Sequence, residues 1–264
     1  MNPLLPPDRP LLCTSDLHLT DAADERFSLL SQLADLAARE RLSLALLGDI
    51  VEVWIGDDDD APLADAFRSL LERTARHTAV GLMLGNRDFL YGEQLARETG
   101  IRLLPDPYPF AEQLLLSHGD QYCTDDAEYQ QLRTLFRSTD WQQDVLGRSL
   151  AERRQLATAL RSQSAAANAT KAANIMDVNT GSVSAALQGA RVDKLLHGHT
   201  HRPAHHRSAG DGNAVPERFV LGAWERTAWV GIVPVGGLPA LYCLPLVVDL
   251  DRWWTTVKAE LAIG

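Results

Sequence analysis

The chain of 264 residues contains no run of eighteen apolar residues, which excludes a simple membrane-spanning helix. Its opening segment, Met1-Asn2-Pro3-Leu4-Leu5-Pro6-Pro7, lacks the basic start and long apolar stretch of a secretory signal, so a cytoplasmic location is expected. Cysteine is scarce. Cys13, Cys123 and Cys243 are odd in number, far apart and free of CxxC spacing, which argues against a disulfide framework or a zinc knuckle and leaves them as small core or near-core residues. Basic residues are outnumbered, 25 Lys and Arg against 35 Asp and Glu, and a net charge of −10 is the wrong field for general nucleic-acid binding. Internal repeats and low-complexity linkers are also missing. What remains, a chain with 45% hydrophobic content, is enough for one large core and an inserted subdomain.

The acidity is uneven. Residues 130–175 carry Arg133, Arg137, Arg148, Arg153, Arg154, Arg161 and Lys171 against Asp140, Asp144 and Glu152, which makes this stretch a candidate anion-facing element. Earlier, Leu11 to Thr14, Leu42 to Leu47 and Val80 to Leu84 read as strands, separated by helical patterns at Asp24 to Glu40 and Pro62 to His77. That alternation predicts an α/β layered domain. Further strands are expected at Leu114 to Ser117, Lys194 to Leu196, Phe219 to Leu221, Trp229 to Val233 and Leu241 to Leu246, with fewer helices between them and a partly antiparallel sheet. Between residues 125 and 190 strand signals give way to Ala, Leu, Gln and Arg, so an inserted helical cap (125–190) is expected within a core of residues 1–124 and 191–264. The tail Asp249-Leu250-Asp251-Arg252-Trp253-Trp254 could pack on the body or meet a membrane interface.

Just after the apolar runs come five polar blocks in fixed order: Ser15-Asp16-Leu17-His18, Gly48-Asp49, Gly85-Asn86-Arg87-Asp88, His118-Gly119-Asp120 and His197-Gly198-His199. Asp-x-His and His-x-His spacings put alternate side chains on one side of a chain leaving a strand, so each pair gives two convergent ligands without a long loop. Turn carboxylates and core histidines do not explain this pattern, since four of the eight histidines fall in these blocks. His77 closes a helical pattern, where a cation suits the dipole. His201, His205 and His206 fit the rim of a site or a solvated loop.

The ordered blocks resemble those of the calcineurin-like metallophosphoesterases. The resemblance implies a four-layer α/β sandwich with two metal ions: Asp16, His18 and His199 hold the first, Asn86, His118 and His197 the second, and Asp49 bridges. Such a pair, roughly 3.5–4 Å apart, activates a hydroxide for in-line attack on phosphorus and neutralises the developing charge.

Many members of that superfamily carry a histidine after the ligand asparagine; this chain has Arg87. A guanidinium cannot serve as a general acid near neutrality, although it binds oxyanions well. A leaving group that needs no proton, such as a phosphate monoester, fits this change, so cleavage of a phosphoanhydride is expected.

Longer segments narrow the resemblance. Gly48-Asp49-Ile50-Val51-Glu52-Val53-Trp54-Ile55-Gly56-Asp57-Asp58, Gly85-Asn86-Arg87-Asp88-Phe89-Leu90, His118-Gly119-Asp120-Gln121-Tyr122-Cys123-Thr124-Asp125-Asp126, Ile175-Met176-Asp177-Val178-Asn179 and His197-Gly198-His199-Thr200-His201-Arg202-Pro203 are similar to the UDP-2,3-diacylglucosamine diphosphatases of lipid A assembly. That resemblance spans about Leu11 to Trp224. It implies two Mn²⁺ ions, attack on the UMP-side phosphorus to release UMP and 2,3-diacylglucosamine 1-phosphate, a lipid-linked nucleotide-sugar substrate, and a peripheral position on the cytoplasmic face of the inner membrane. Catalytic roles fall to Asp49, Asn86, Arg87 and His118. Substrate contacts fall to Asn86, Arg87, Asp126, Ser164, Asn168, Lys171 and His197. The spacing of Ser164, Asn168 and Lys171 also puts them on one helix face, with hydroxyl, amide and ammonium donors side by side. Asp126 can equally cap the following helix. The cap run Asp144-Val145-Leu146-Gly147-Arg148-Ser149-Leu150 is more polar than the corresponding family segment, but Leu132, Leu135, Phe136, Trp141, Val145, Leu146 and Leu150 still provide an apolar surface.

Overall fold

A computed structural model describes residues 3–111, 113–168, 175, 177–207 and 216–263, without the side chains of 165–168. The first half alternates strands and helices: β1 (Leu11–Thr14), α1 (Glu25–Arg39), β2 (Ser43–Leu47), α2 (Pro62–Ala75), β3 (Val80–Met83), α3 (Glu93–Thr99) and β4 (Arg102–Leu104). Then come β5 (Tyr108–Phe110), β6 (Leu114–Ser117), the helices α4 (Ala127–Phe136), α5 (Thr139–Leu146), α6 (Leu150–Asn168) and α7 (Thr180–Ala190), and β7 (Lys194–His197). The chain closes with β8 (Ala204–His206), β9 (Glu217–Val220), β10 (Thr227–Val233), β11 (Ala240–Pro245) and α8 (Leu250–Leu261).

Two sheets result. The six-stranded sheet runs β11-β10-β1-β2-β3-β4, parallel from β1 to β4, with β10 and β11 antiparallel at one side. The five-stranded sheet runs β5-β6-β7-β9-β8, parallel through β6, β7 and β9 and edged by antiparallel β5 and β8. Every residue of β1, β2, β3 and β6 is buried, as expected of strands covered on both faces.

Period-two alternation divides these strands between cores. Leu12, Leu44, Leu46 and Leu82 face the helical layer of α1 and α2, whereas Leu11, Cys13, Ala45, Leu47 and Met83 meet Leu114, Leu116, Leu196 and Phe219 between the sheets. On the outer face of the second sheet, Leu115 and Leu195 pack with Val183 and Leu187 of α7. The order is helix, sheet, sheet, helix, the four layers expected. Although α7 falls within residues 125–190, its apolar side chains thus belong to the core's outer layer, leaving α4 to α6 over the site.

The basic stretch does not form a free anion-facing surface among its described residues. Arg153 bonds both carboxylate oxygens of Asp58 at 2.6 Å, Arg154 meets Asp59 and Asp60, and Arg161 lies 3.1 Å from Glu52. Arg133 reaches Asp120 at 2.8 Å and Arg148 reaches Asp144 at 2.5 Å. Two of these charges, Arg153 and Arg154, hold the cap against an acidic body loop, Asp58-Asp59-Asp60. The C-terminal α8 packs on the body: Trp254 is buried, Lys258 lies 3.1 Å from Glu40, and Asp249 caps the helix by accepting from Arg252 N at 3.0 Å.

Candidate metal centre

The polar blocks meet where β1, β2, β3, β6 and β7 end, the edge at which parallel sheets present ligands. Adjacent loops continue the strand pairing: Asp16 N donates to Gly48 O at 3.1 Å and His18 N to Asp49 O at 3.0 Å. Asp16 is fully buried. Its Oδ2 accepts from Ser15 Oγ at 2.6 Å and His199 N at 2.9 Å, whereas Oδ1 has no hydrogen-bond donor among the described residues. Asp49 divides its oxygens, with Oδ1 3.7 Å from His118 Nε2 and Oδ2 4.0 Å from His18 Nε2. It therefore faces one histidine from each side of the centre, the geometry a bridging carboxylate needs.

Asn86 joins the second group. Its Oδ1 is 3.0 Å from His118 Nε2 and 2.8 Å from His199 Nδ1. His118 Nδ1 is 2.9 Å from Leu47 O, so donation to that carbonyl selects the tautomer that leaves Nε2 as an acceptor or ligand. Burial first, and then the nearby His118, push His199 down to about 4, which keeps its imidazole neutral. Neutral imidazole is the ligating form.

The histidine pair lies one alternate step beyond the expected position. His201 Nε2 is 3.4 Å from Asp16 Oδ1 and 3.2 Å from His18 Nε2, and Asp16, His18 and His201 can converge on one cation, as can Asp16, Asp49 and His118. His197 turns elsewhere: its Nδ1 lies 2.9 Å from Gly198 O, and its Nε2 lies 3.4 Å from Arg218 Nη1. Burial and then the Arg218 charge hold His197 down to about 3. His199 thus lies beside Asn86, where His197 was expected, and His201 lies beside Asp16 and His18, where His199 was expected. Backbone conformation marks the same residues. Asp16, His18, Asp49, His199 and His201 all have left-handed φ values between 50° and 66°, costly for non-glycine residues and concentrated where function fixes the chain. His197 is not among these positive-φ residues.

Asp88 fixes two of these loops together. It is fully buried and accepts from Gly85 N, Asp49 N, Ile50 N and Tyr91 Oη at 2.7–3.0 Å. Burial, followed by the Asp49 charge, pushes its acid up to about 6, still ionised at neutral pH as this acceptor role requires. A methyl group at Gly85 would overlap Asp49 Oδ1, and one at Gly198 would overlap Asp16 Oδ2; glycine permits both close approaches.

A cavity of about 260 Å³ opens beside the centre. Phe89, Leu132, Phe136, Trp141, Leu156 and Leu160 supply its apolar wall, while Asn86, Arg87 and Ser164 line it as well. Arg87 N donates to Asp49 Oδ1 at 2.8 Å, and its guanidinium lies 3.9 Å from Glu52, placing it between the centre and the cavity. Glu52 also lies 3.0 Å from His18 Nδ1. Asp126 caps α4, accepting from Tyr129 N at 3.1 Å. Asn168 ends α6 with its side chain undescribed, and Lys171 lies outside the described residues. Tyr129 ties α4 to the centre, donating to Asp120 at 2.8 Å and stacking on His199 at 5.7 Å.

This two-sheet sandwich, with carboxylate, amide and imidazole groups gathered at its strand ends, defines a metallophosphoesterase. The chain belongs to the calcineurin-like phosphoesterase family, which matches residues 9–203. Within it, the chain stands among the UDP-2,3-diacylglucosamine hydrolases. It is 43% identical to the UDP-2,3-diacylglucosamine hydrolase of Bordetella parapertussis, covering 92% of this chain and 97% of that protein. The similarly named proteins of Aromatoleum aromaticum (43% identity; 84% and 94% covered) and Pseudomonas aeruginosa (40%; 86% and 96%) match comparably.

Proposed function

We propose that the protein hydrolyses the diphosphate of UDP-2,3-diacylglucosamine, giving UMP and 2,3-diacylglucosamine 1-phosphate. The observation carrying this reading is the direct junction, at Asn86 and Arg87, between a metal-ligating centre and a largely apolar cavity. A diphosphate linked to a lipid-bearing sugar presents those two chemistries side by side.

Asp16, His18 and His201 would hold one Mn²⁺ ion, Asn86, His118 and His199 the other, with Asp49 between them; oxygen and imidazole donors suit that metal. The unpartnered Asp16 Oδ1 and the converging donor groups support the fit. When bound, the ions supply Lewis-acid charge and an activated water. The chain orients the reacting groups. Arg87 binds a diphosphate oxygen and compensates its charge, and the lack of a proton donor at this position suits a phosphate leaving group. The wall of α4 to α6 takes the acyl chains, and Ser164, Asn168 and Lys171 serve as the contacts for the sugar and its phosphate. Asp126 acts through the cap of α4, and His197 through Arg218. Exposed Leu132, Leu135 and Leu146 on that cap suit a peripheral position at the inner membrane's cytoplasmic face, and no helix among the described residues is long and apolar enough to cross a membrane.

The test is UMP release by metal-stripped protein with and without Mn²⁺, using UDP-2,3-diacylglucosamine beside UDP-N-acetylglucosamine. Mn²⁺-dependent release from the acylated substrate alone supports the reading. Equal release from both makes the protein a general nucleotide-sugar hydrolase instead.

A further inference from the structure

Thr200 stands between His199 and His201, yet it lines a different cavity from the apolar one beneath the cap. This second cavity, about 220 Å³, also contains Asp177, Arg202, His206 and Arg218 and shares no lining residue with the first. It is smaller than the roughly 300 Å³ at which drug-sized sites usually begin, so it suits one ring with its sugar better than a pair of acyl chains. Five of its eight lining residues carry polar side chains. Arg218 is half-buried and forms no ion pair among the described residues; its Nη1 lies 3.4 Å from His197 Nε2. Thr200 Oγ1 is buried without a hydrogen-bond partner among the described residues. Asp177 is held nearby by Arg202 at 2.9 Å.

We propose that this cavity binds the uridine half of the substrate, with Arg218 and Thr200 recognising the uracil carbonyls and Asp177 accepting from its imide N–H. The assignment rests on the substrate reading above. A two-ended substrate whose diphosphate meets the His199 and His201 centre, and whose lipid lies under the cap, needs a separate polar site for its nucleoside. Thr200 puts this cavity within one residue of both histidines. The buried Thr200 hydroxyl, without a partner among the described residues, favours a ligand that supplies an acceptor, because leaving it unmet is costly. Val220 and Pro203 provide an apolar surface for the base.

The test is calorimetric titration of the Mn²⁺-loaded wild type, Arg218→Ala and Ala204→Phe with UMP, and separately with 2,3-diacylglucosamine 1-phosphate. Ala204→Phe fills the cavity from edge strand β8, so it probes the site without removing the Arg218 charge. Both variants should bind UMP at least tenfold more weakly while holding the lipid product within twofold of wild type. Unchanged UMP affinity in both variants, or equal loss for both products, overturns the assignment. Wild-type turnover of UDP-2,3-diacylglucosamine is measured in parallel. Its absence removes the substrate reading and this assignment together, whereas normal turnover with unchanged UMP binding in both variants removes the uridine site alone.

Discussion

His201 Nε2 lies 3.4 Å from Asp16 Oδ1, a buried carboxylate oxygen that receives no hydrogen bond among the described residues. That relationship sets the register of the whole centre. With His201 beside Asp16 and His18, His199 falls beside Asn86 and His118, and His197 is released to face Arg218.

Removing the shared carboxylate should disable both halves of the centre. Asp49→Ala is expected to lose metal and activity together, read by elemental analysis and UMP release on the same preparation. Full activity with both ions retained contradicts a bridging role.

Arg87 should separate binding of metal from binding of substrate. Arg87→Ala is expected to keep its ions but lose about 10²-fold in turnover, the scale of removing one group that stabilises transition-state charge. Loss of metal in this variant would instead make Arg87 a scaffold residue.

Asp88 supports the ligand loops through several buried acceptor bonds. Asp88→Ala strands those donors and should destabilise the fold by about 3 kcal/mol or more in urea unfolding, since each stranded group carries its desolvation penalty. A change below about 0.5 kcal/mol, the scale of an ordinary surface substitution, would show that the loops hold without it.

The apolar cavity predicts a chain-length series. Each methylene buried stabilises binding by about 0.8 kcal/mol, close to a fourfold gain in affinity per carbon until the cavity fills. Leu156→Trp should shorten the acyl length at which that gain stops, as measured by product-binding calorimetry. An affinity independent of chain length contradicts acyl binding in this cavity.

Cap attachment should respond to acid. The Arg153 hydrogen bonds hold the Asp58 carboxyl below its ordinary value of 3.8. Because the folded-state value is lowered, the stabilisation is present above the unfolded value and disappears as pH falls through the folded one. Protection of α6 amides against hydrogen exchange, taken relative to the intrinsic rate at each pH, should therefore fall below about pH 4 in the wild type. Asp58→Asn should exchange faster already at neutral pH and respond less to acid.

The strand ends were readable because apolar runs and polar blocks alternate so regularly, and β1, β2, β3, β6, β7, β10 and β11 lie close to their expected positions. Short α3, β4, β5 and β8 were missed, having too few residues for a clear period. The tail's role was hidden because its helix is stabilised by tertiary contacts, with Trp254 buried and Lys258 paired to Glu40. Likewise, the basic cap resembled an anion site until Arg153 and Arg154 met the distant Asp58, Asp59 and Asp60. The centre's composition was legible, but its final pair was not. His197-Gly198-His199-Thr200-His201 contains the His-x-His spacing twice, so spacing alone does not choose between the two pairs.

The most direct test is the metal content of His201→Ala and His197→Ala after identical loading with Mn²⁺. His201→Ala should lose one ion and its phosphohydrolase activity, while His197→Ala keeps both ions. Full occupancy in His201→Ala with a missing ion in His197→Ala would contradict the register on which the account depends.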